Sequence, residues 1–136
     1  MNFLVDANVL SEATKPVPDS RAVAWLGHHE SALVVSPIVL GELEYGVLLL
    51  PAGKRRDRLQ DWFEKVVKRM RVLDFDAGTA ATWAALLARL KKRGLAMPIK
   101  DSQIAATAIA HGLTVATRNT VDYKYAGVPL FNPFKS

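Results

Sequence analysis

Apolar residues fall in short blocks along this chain, and their spacing predicts strands alternating with helices. The run Phe3-Leu4-Val5, within a strand expected over residues 2–5, leads into Asp6-Ala7-Asn8, whose polar side chains suit the cap of a helix starting near Val9. Lys15-Pro16-Val17-Pro18 breaks that helix, because proline removes a backbone donor and crowds the preceding turn. Asp19-Ser20 caps a second helix with Ala22, Val23 and Leu26 on one face, ending near His29. Residues 32–35 are β-rich, and Ser36-Pro37 then places a cap and a first-turn proline at the head of a long helix that stops by Pro51-Ala52-Gly53. Over residues 57–70, Leu59, Trp62, Phe63, Val66, Val67 and Met70 recur at helical spacing on one face.

The second half repeats the pattern. A strand is expected over residues 71–75, after which Asp76 caps a helix carrying Ala80, Trp83, Leu87 and Leu90. Lys91-Lys92-Arg93 suits the negative end of that helix dipole, and Gly94 is a left-handed terminator. A further helix is expected from Asp101 to His111-Gly112, then strands over residues 114–116 and 128–131. This alternation implies an α/β fold: one domain over residues 1–136, with a short central, mostly parallel sheet flanked by helices. In such sheets ligands collect beyond the carboxyl ends of the strands. Asp6, Thr117-Arg118-Asn119, the helix start at Asp101, and Glu42 a little over one turn into its helix all fall at that rim.

Length and composition agree with one globular domain: 136 residues, half of them hydrophobic and 23% charged. The absence of cysteine excludes disulfides, thiolate metal sites and cysteine nucleophiles, and suits a cytoplasmic location. The first residues lack the basic lead and apolar core of a signal peptide, and no stretch reaches the roughly 18 apolar residues of a membrane span. A soluble protein is expected. Net charge is +5 with a pI near 9.7, and 12 of the 18 Lys and Arg residues lie between positions 54 and 93. A local basic field attracts polyanions such as nucleic acid, although the same charges also serve a solvated helix face.

Against that basic background, Asp6, Glu42 and Asp101 sit in apolar or small-residue settings. A carboxylate with no basic partner nearby in sequence needs one in space, and a divalent cation supplies it. Asp6 and Asp101 each have a simpler use as a helix cap. Glu42 does not, since its helical neighbours are Ile38, Val39, Tyr45 and Gly46. Glu44, among Leu40, Gly41, Val47 and Leu48, is placed the same way, so spacing does not choose between the two. Oxygen ligands favour Mg²⁺ or Mn²⁺ over zinc, and His28, His29 and His111 make no convincing zinc pattern. Asp74-Phe75-Asp76-Ala77-Gly78-Thr79 resembles the nucleophile loop of haloacid-dehalogenase-type phosphatases. That loop normally lies near a chain start, however, and Asp76 has a helix to cap.

Four ordered blocks resemble the PIN-domain ribonucleases, specifically the VapC or FitB-like toxins of bacterial toxin–antitoxin pairs. The first is Phe3-Leu4-Val5-Asp6-Ala7-Asn8-Val9-Leu10-Ser11-Glu12, and the second Ser36-Pro37-Ile38-Val39-Leu40-Gly41-Glu42-Leu43-Glu44-Tyr45-Gly46. The third is Pro98-Ile99-Lys100-Asp101-Ser102-Gln103-Ile104-Ala105-Ala106-Thr107-Ala108. The fourth is Thr117-Arg118-Asn119-Thr120-Val121-Asp122-Tyr123 with the closing Asn132-Pro133-Phe134.

The resemblance implies a magnesium-dependent endoribonuclease, usually a homodimer, that cleaves transfer or ribosomal RNA and is inhibited by a cognate antitoxin through which it reaches DNA. It implies Asp6, Glu42 and Asp101 as metal ligands and so selects Glu42 over Glu44. Many relatives carry a fourth acid at the position of Asn119, so Asp122 is the alternative source of that carboxylate. Thr117 would orient a ligand or water, and Arg118 would meet a backbone phosphate. Asn119 favours a second function, a catalytically weak PIN-fold binding module within a DNA-bound repressor complex.

Overall fold

The structure is a computed structural model that describes residues 2–135. Five short strands, β1 (Phe3–Val5), β2 (Leu33–Val35), β3 (Arg71–Val72), β4 (Thr114–Ala116) and β5 (Leu130–Phe131), form one sheet in the order β3-β2-β1-β4-β5. Every neighbouring pair is parallel. The flanking helices among the described residues are α1 (Ala7–Leu10), α2 (Ser20–His28), α3 (Pro37–Leu48), α4 (Lys54–Lys65), α5 (Ala77–Lys92), α6 (Ile99–His111) and α7 (Thr120–Tyr123). Strands β1 and β2 are apolar without alternation because both of their faces are covered. Leu4, at the centre, registers with Val34 on one side and Val115 on the other.

From β1 the chain winds outward through β2 and β3, then returns to the other side of β1 for β4 and β5. The carboxyl ends of β1 and β4 therefore flank the point where the winding reverses, the crevice in which open α/β sheets bind ligands. Buried apolar residues of the strands pack with Val9, Val39, Phe63, Leu90 and Ile104 from the helices. Ala105, Ala106 and Ala108 are buried on α6, whose small side chains permit close packing. Trp83 Nε1 on α5 donates to Ser102 Oγ on α6 at 2.9 Å. Arg89 Nη2 donates to the Ala126 carbonyl at 2.9 Å and fastens α5 to the segment after α7.

Several boundaries differ from expectation for local reasons. Helix α6 starts at Ile99, with Pro98 as its cap and the Pro98 carbonyl accepting from Ser102 N–H at 2.9 Å. Asp101 is thus in the first turn and does not cap the helix. Strand β3 ends at Val72, although Leu73 N–H still donates to the Val35 carbonyl at 3.0 Å. Helix α4 begins after Gly53 and gives way to a 3₁₀ turn at Val67–Arg69. Phe63 and Val67 are buried while Val66, at the junction of the two, is exposed, and Val23 on α2 is exposed as well. No helix among the described residues is long and apolar enough to cross a membrane.

Candidate active site

Asp6 follows β1 directly, and its N–H donates to the Ala116 carbonyl at 2.9 Å, as if the strand continued. Its side chain turns to cap α1, Oδ1 accepting from Ala7 N–H at 2.9 Å. Oδ2 accepts from Thr117 Oγ1 at 2.8 Å, Tyr123 Oη at 3.0 Å and Asn8 Nδ2 at 3.3 Å. Asn8 Nδ2 also reaches Thr117 Oγ1 at 3.2 Å, and Asn8 Oδ1 accepts from Arg118 N–H at 2.9 Å. The ends of β1 and β4 are stitched together by these bonds. A carboxylate oxygen has two lone pairs, so three donors saturate Oδ2, whereas Oδ1 retains spare capacity.

Glu42 enters from α3, whose start is set by Ser36 Oγ accepting from Val39 N–H at 3.2 Å. Its Oε1 is buried with no hydrogen-bond partner among the described residues. Its Oε2 lies 3.9 Å from Lys100 Nζ. Asp101 enters from α6, with Oδ1 accepting from Tyr123 Oη at 3.4 Å. Tyr123 is fully buried and reaches two carboxylates from different elements. A hydroxyl has one proton to donate, so the two acids share it. Burial, then the charges of Asp6 and Asp101, push the phenol pKa far up and keep it a donor.

The acids repel one another. Burial, reinforced by the charges of Asp6 and Asp101 and opposed by Lys100, pushes the Glu42 carboxyl up. Asp101 is pushed from 3.8 to about 6 by burial, then by the charges of Asp6 and Asp122, against the Tyr123 hydrogen bond and Lys100. Glu42 lines two rim grooves, one with Asn8 and one with Lys100; Glu44 lines neither. Among the described residues no three His, Asp or Glu side chains stand close enough, as placed, to form a ready-made cage for an ion. The structure gathers Asp6, Glu42 and Asp101 within electrostatic reach without closing them on one point.

Other expected residues are placed differently. Thr117 is buried against Asp6. Asn119 is exposed: its N–H donates to Thr117 Oγ1 at 3.1 Å and its carbonyl caps α7. Asp122 is exposed and acts on Asp101 through its charge. The Arg118 guanidinium lies over the Phe134 ring, 4.6 Å from its centroid. Asp76 Oδ1 accepts from Thr79 N–H at 2.9 Å and Oγ1 at 3.0 Å, bonds that hold its carboxyl below the usual range; it caps α5. His29 stacks on Trp25 and bonds the Trp25 carbonyl.

Asn8 and Tyr123 hold the acids in place without standing out along the chain. In sequence Asn8 is a helix-cap residue, and the pair Asp122-Tyr123 is notable for its acid. A tyrosine beside that acid, able to bury its ring and keep a polar tip, was the available signal.

The chain matches the family described as PIN domain over residues 3–128. It is 39% identical over 137 residues to VapC ribonuclease Y4jK of Sinorhizobium fredii, covering 98% of each chain. It is likewise 39% identical over 139 residues to toxin FitB of Neisseria gonorrhoeae, covering 97% of this chain and 98% of that one. Its fold superposes with a TM-score of 0.92 on a chain in the structure of FitAB bound to the IR36 DNA fragment, at 37% identity, covering 98% of this chain and 96% of the other.

Proposed function

Because the chain belongs to the PIN domain family, among the VapC- and FitB-like toxins of toxin–antitoxin systems, we propose that it is a divalent-cation-dependent endoribonuclease. Asp6, Glu42 and Asp101 would hold the ion, Mg²⁺ or Mn²⁺. The observation that carries this reading is Glu42 Oε1, a buried and unpartnered carboxylate oxygen within reach of the charges of Asp6 and Asp101. A buried carboxylate oxygen without a partner is costly, and three hard oxygen donors that repel one another suit a hard dication. When bound, such an ion lowers the pKa of water and polarises a phosphoryl oxygen.

The chain's own groups do the positioning. Thr117, Asn8 and Tyr123 occupy Asp6 Oδ2, which leaves Oδ1 as the less committed oxygen. Tyr123 ties Asp6 to Asp101, so the two acids approach the substrate as a pair. The charge that Asp122 exerts on Asp101 supports it as the additional acid, in place of the amide at Asn119. Basic residues of α4 and the end of α5 would draw RNA, transfer or ribosomal, towards the rim.

For partners, the reading includes a cognate antitoxin, DNA contact through that antitoxin, and a homodimer. The relatives' names and the DNA-bound FitAB structure support the first two. A groove of about 470 Å³ lined by Leu10, Leu26, Trp62, Met70 and the exposed Val66 is a fitting antitoxin seat.

The test is RNA cleavage by purified protein with Mg²⁺ or with EDTA, for the wild type, Asp6→Asn and Asp101→Asn. Both variants should fold and fail to cleave. Persistent cleavage in either, or full activity in excess EDTA, sinks the proposal. A second reading, a catalytically weak module in a DNA-bound complex, draws on Asn119 and on the open arrangement of the acids. Partner binding without cation-dependent cleavage would favour it. Sequencing the RNA ends after brief expression would identify the target.

A further inference from the structure

Beside the carboxylates, between α3 and α6, lies an open groove of about 320 Å³ lined by Glu42, Tyr45, Lys100 and Gln103. Its size is at the lower end of small-ligand pockets, roughly 300–1,000 Å³. Glu42 and Tyr45 are three residues apart on α3, and Lys100 and Gln103 three apart on α6. Each pair therefore shares a helix face.

Two features here have no structural use. Tyr45 is 63% exposed, although an aromatic ring is among the costlier groups to leave in water. Lys100 pairs loosely with Glu42, 3.9 Å away, through a side chain that is 64% exposed. An ion pair so open to water contributes little to stability, so the contact is easily exchanged. Its charge acts on both Glu42 and Asp101. Among the described residues lining the groove, Lys100 is the one cation. It stands where an incoming dication would compete with it and where a substrate phosphate would need it.

We propose that this groove is a single-nucleotide subsite next to the scissile phosphate, in which Lys100 exchanges Glu42 for a phosphate oxygen and Tyr45 stacks on the adjoining base. The inference rests on the acids binding a cation and on RNA being the substrate. With a cation held at Glu42, Lys100 would be free to leave it, and its ammonium, with three donors and no acceptor, would prefer the phosphate. Base stacking on an aromatic ring is tolerant of sequence, and the Gln103 amide offers a donor and an acceptor to the base edge.

The proposal predicts opposite effects from one substitution. Lys100→Ala removes a positive charge that competes with the cation, so Mn²⁺ measured by electron paramagnetic resonance should bind about fivefold tighter. The same variant should bind a labelled 2′-O-methyl oligoribonucleotide, held in Mn²⁺ at low temperature and checked intact on a gel, about fivefold more weakly. Its plot of log affinity against log salt should be shallower by about 0.7, the loss of one phosphate contact on a single strand. Lys100→Arg should restore both. Tyr45→Ala should weaken the oligonucleotide about tenfold while leaving Mn²⁺ affinity and the salt slope unchanged.

Unchanged or weaker Mn²⁺ binding in Lys100→Ala, or an unchanged salt slope, overturns the exchange; wild-type oligonucleotide affinity in Tyr45→Ala overturns the stacking. In those cases a wild type that still binds Mn²⁺ and cleaves RNA leaves the nuclease reading standing. A wild type that binds no Mn²⁺ and cleaves nothing removes that reading and this subsite with it.

Discussion

Asp101→Asn should make the cation-free protein more stable while removing its proposed activity. In the folded chain this carboxyl holds its proton up to about pH 6, whereas the ordinary value is 3.8. The folded state therefore binds more protons than the unfolded state between those values, and stability falls as pH rises through that window. Above pH 6 the deficit is complete. At 1.36 kcal/mol per pKa unit the displacement corresponds to about 3 kcal/mol if all of it reached the folding equilibrium. Asp101 is partly exposed, and solvent screening reduces the expectation to about 1–2 kcal/mol. Asparagine keeps an Oδ1 acceptor for the Tyr123 hydroxyl and removes the charge, so it should recover that amount.

The assay is urea unfolding in EDTA, followed by the fluorescence of Trp25, Trp62 and Trp83, at pH values from 7.5 to 4. The gain should be full at pH 7.5 and fade between pH 6 and 4. Saturating Mg²⁺ should then stabilise the wild type selectively, because a ligand that binds only the folded state adds to its stability. A variant no more stable than wild type at pH 7.5, or a gain independent of pH, would refute the account of mutual repulsion.

Glu42→Gln should abolish cation-dependent cleavage and Glu44→Gln should leave it near wild type; equal losses on a gel-based cleavage assay would remove the distinction between them. Tyr123→Phe takes away the hydroxyl shared by Asp6 and Asp101, and cleavage should fall about tenfold in a protein with unchanged circular dichroism, a hydrogen bond to a charged group being worth about 1.5–3 kcal/mol. Wild-type rates in that variant would reduce the phenol to a packing residue. Ser36→Ala deletes the cap of α3 and should cost about 1 kcal/mol in urea unfolding, with weakened Mn²⁺ binding through the displaced Glu42; stability equal to wild type would show that the cap is idle.

Local chemistry was legible where a residue acts on its near neighbours. Asp19, Ser36 and Asp76 each accept the backbone N–H that their position before a helix predicts, whereas Asp6 accepts from the adjacent Ala7 N–H. Helix α6 starts two residues before Asp101, which looks like a cap, because Pro98 caps the helix and offers no side-chain acceptor to advertise its role. The expected helical stripe over residues 57–70 runs through Val66, but α4 ends at Lys65 and Val66 is exposed at the junction with the 3₁₀ turn Val67–Arg69. The site was half legible. Its acids stood out as unpaired charges, whereas the groups that hold them did not. Tyr123 and Asp6 are 117 residues apart, and no local rule connects a phenol to a carboxylate at that separation. Choosing Glu42 over Glu44 likewise needed either a family resemblance or the packed sheet, since the two are equivalent along their helix.

The strand order also sets when the carboxylate cluster can come into being. Strand β1 is made well before its neighbour β4, which lies more than a hundred residues later, and Thr117 meets Asp6 across a gap of 111 residues. Contacts of such long range form late and make folding slow. A nascent chain that has not reached residue 117 has Asp6, Glu42 and Asp101 but lacks the threonine and tyrosine that fasten them. Synthesis must therefore pass residue 123 before the cluster can be locked in place.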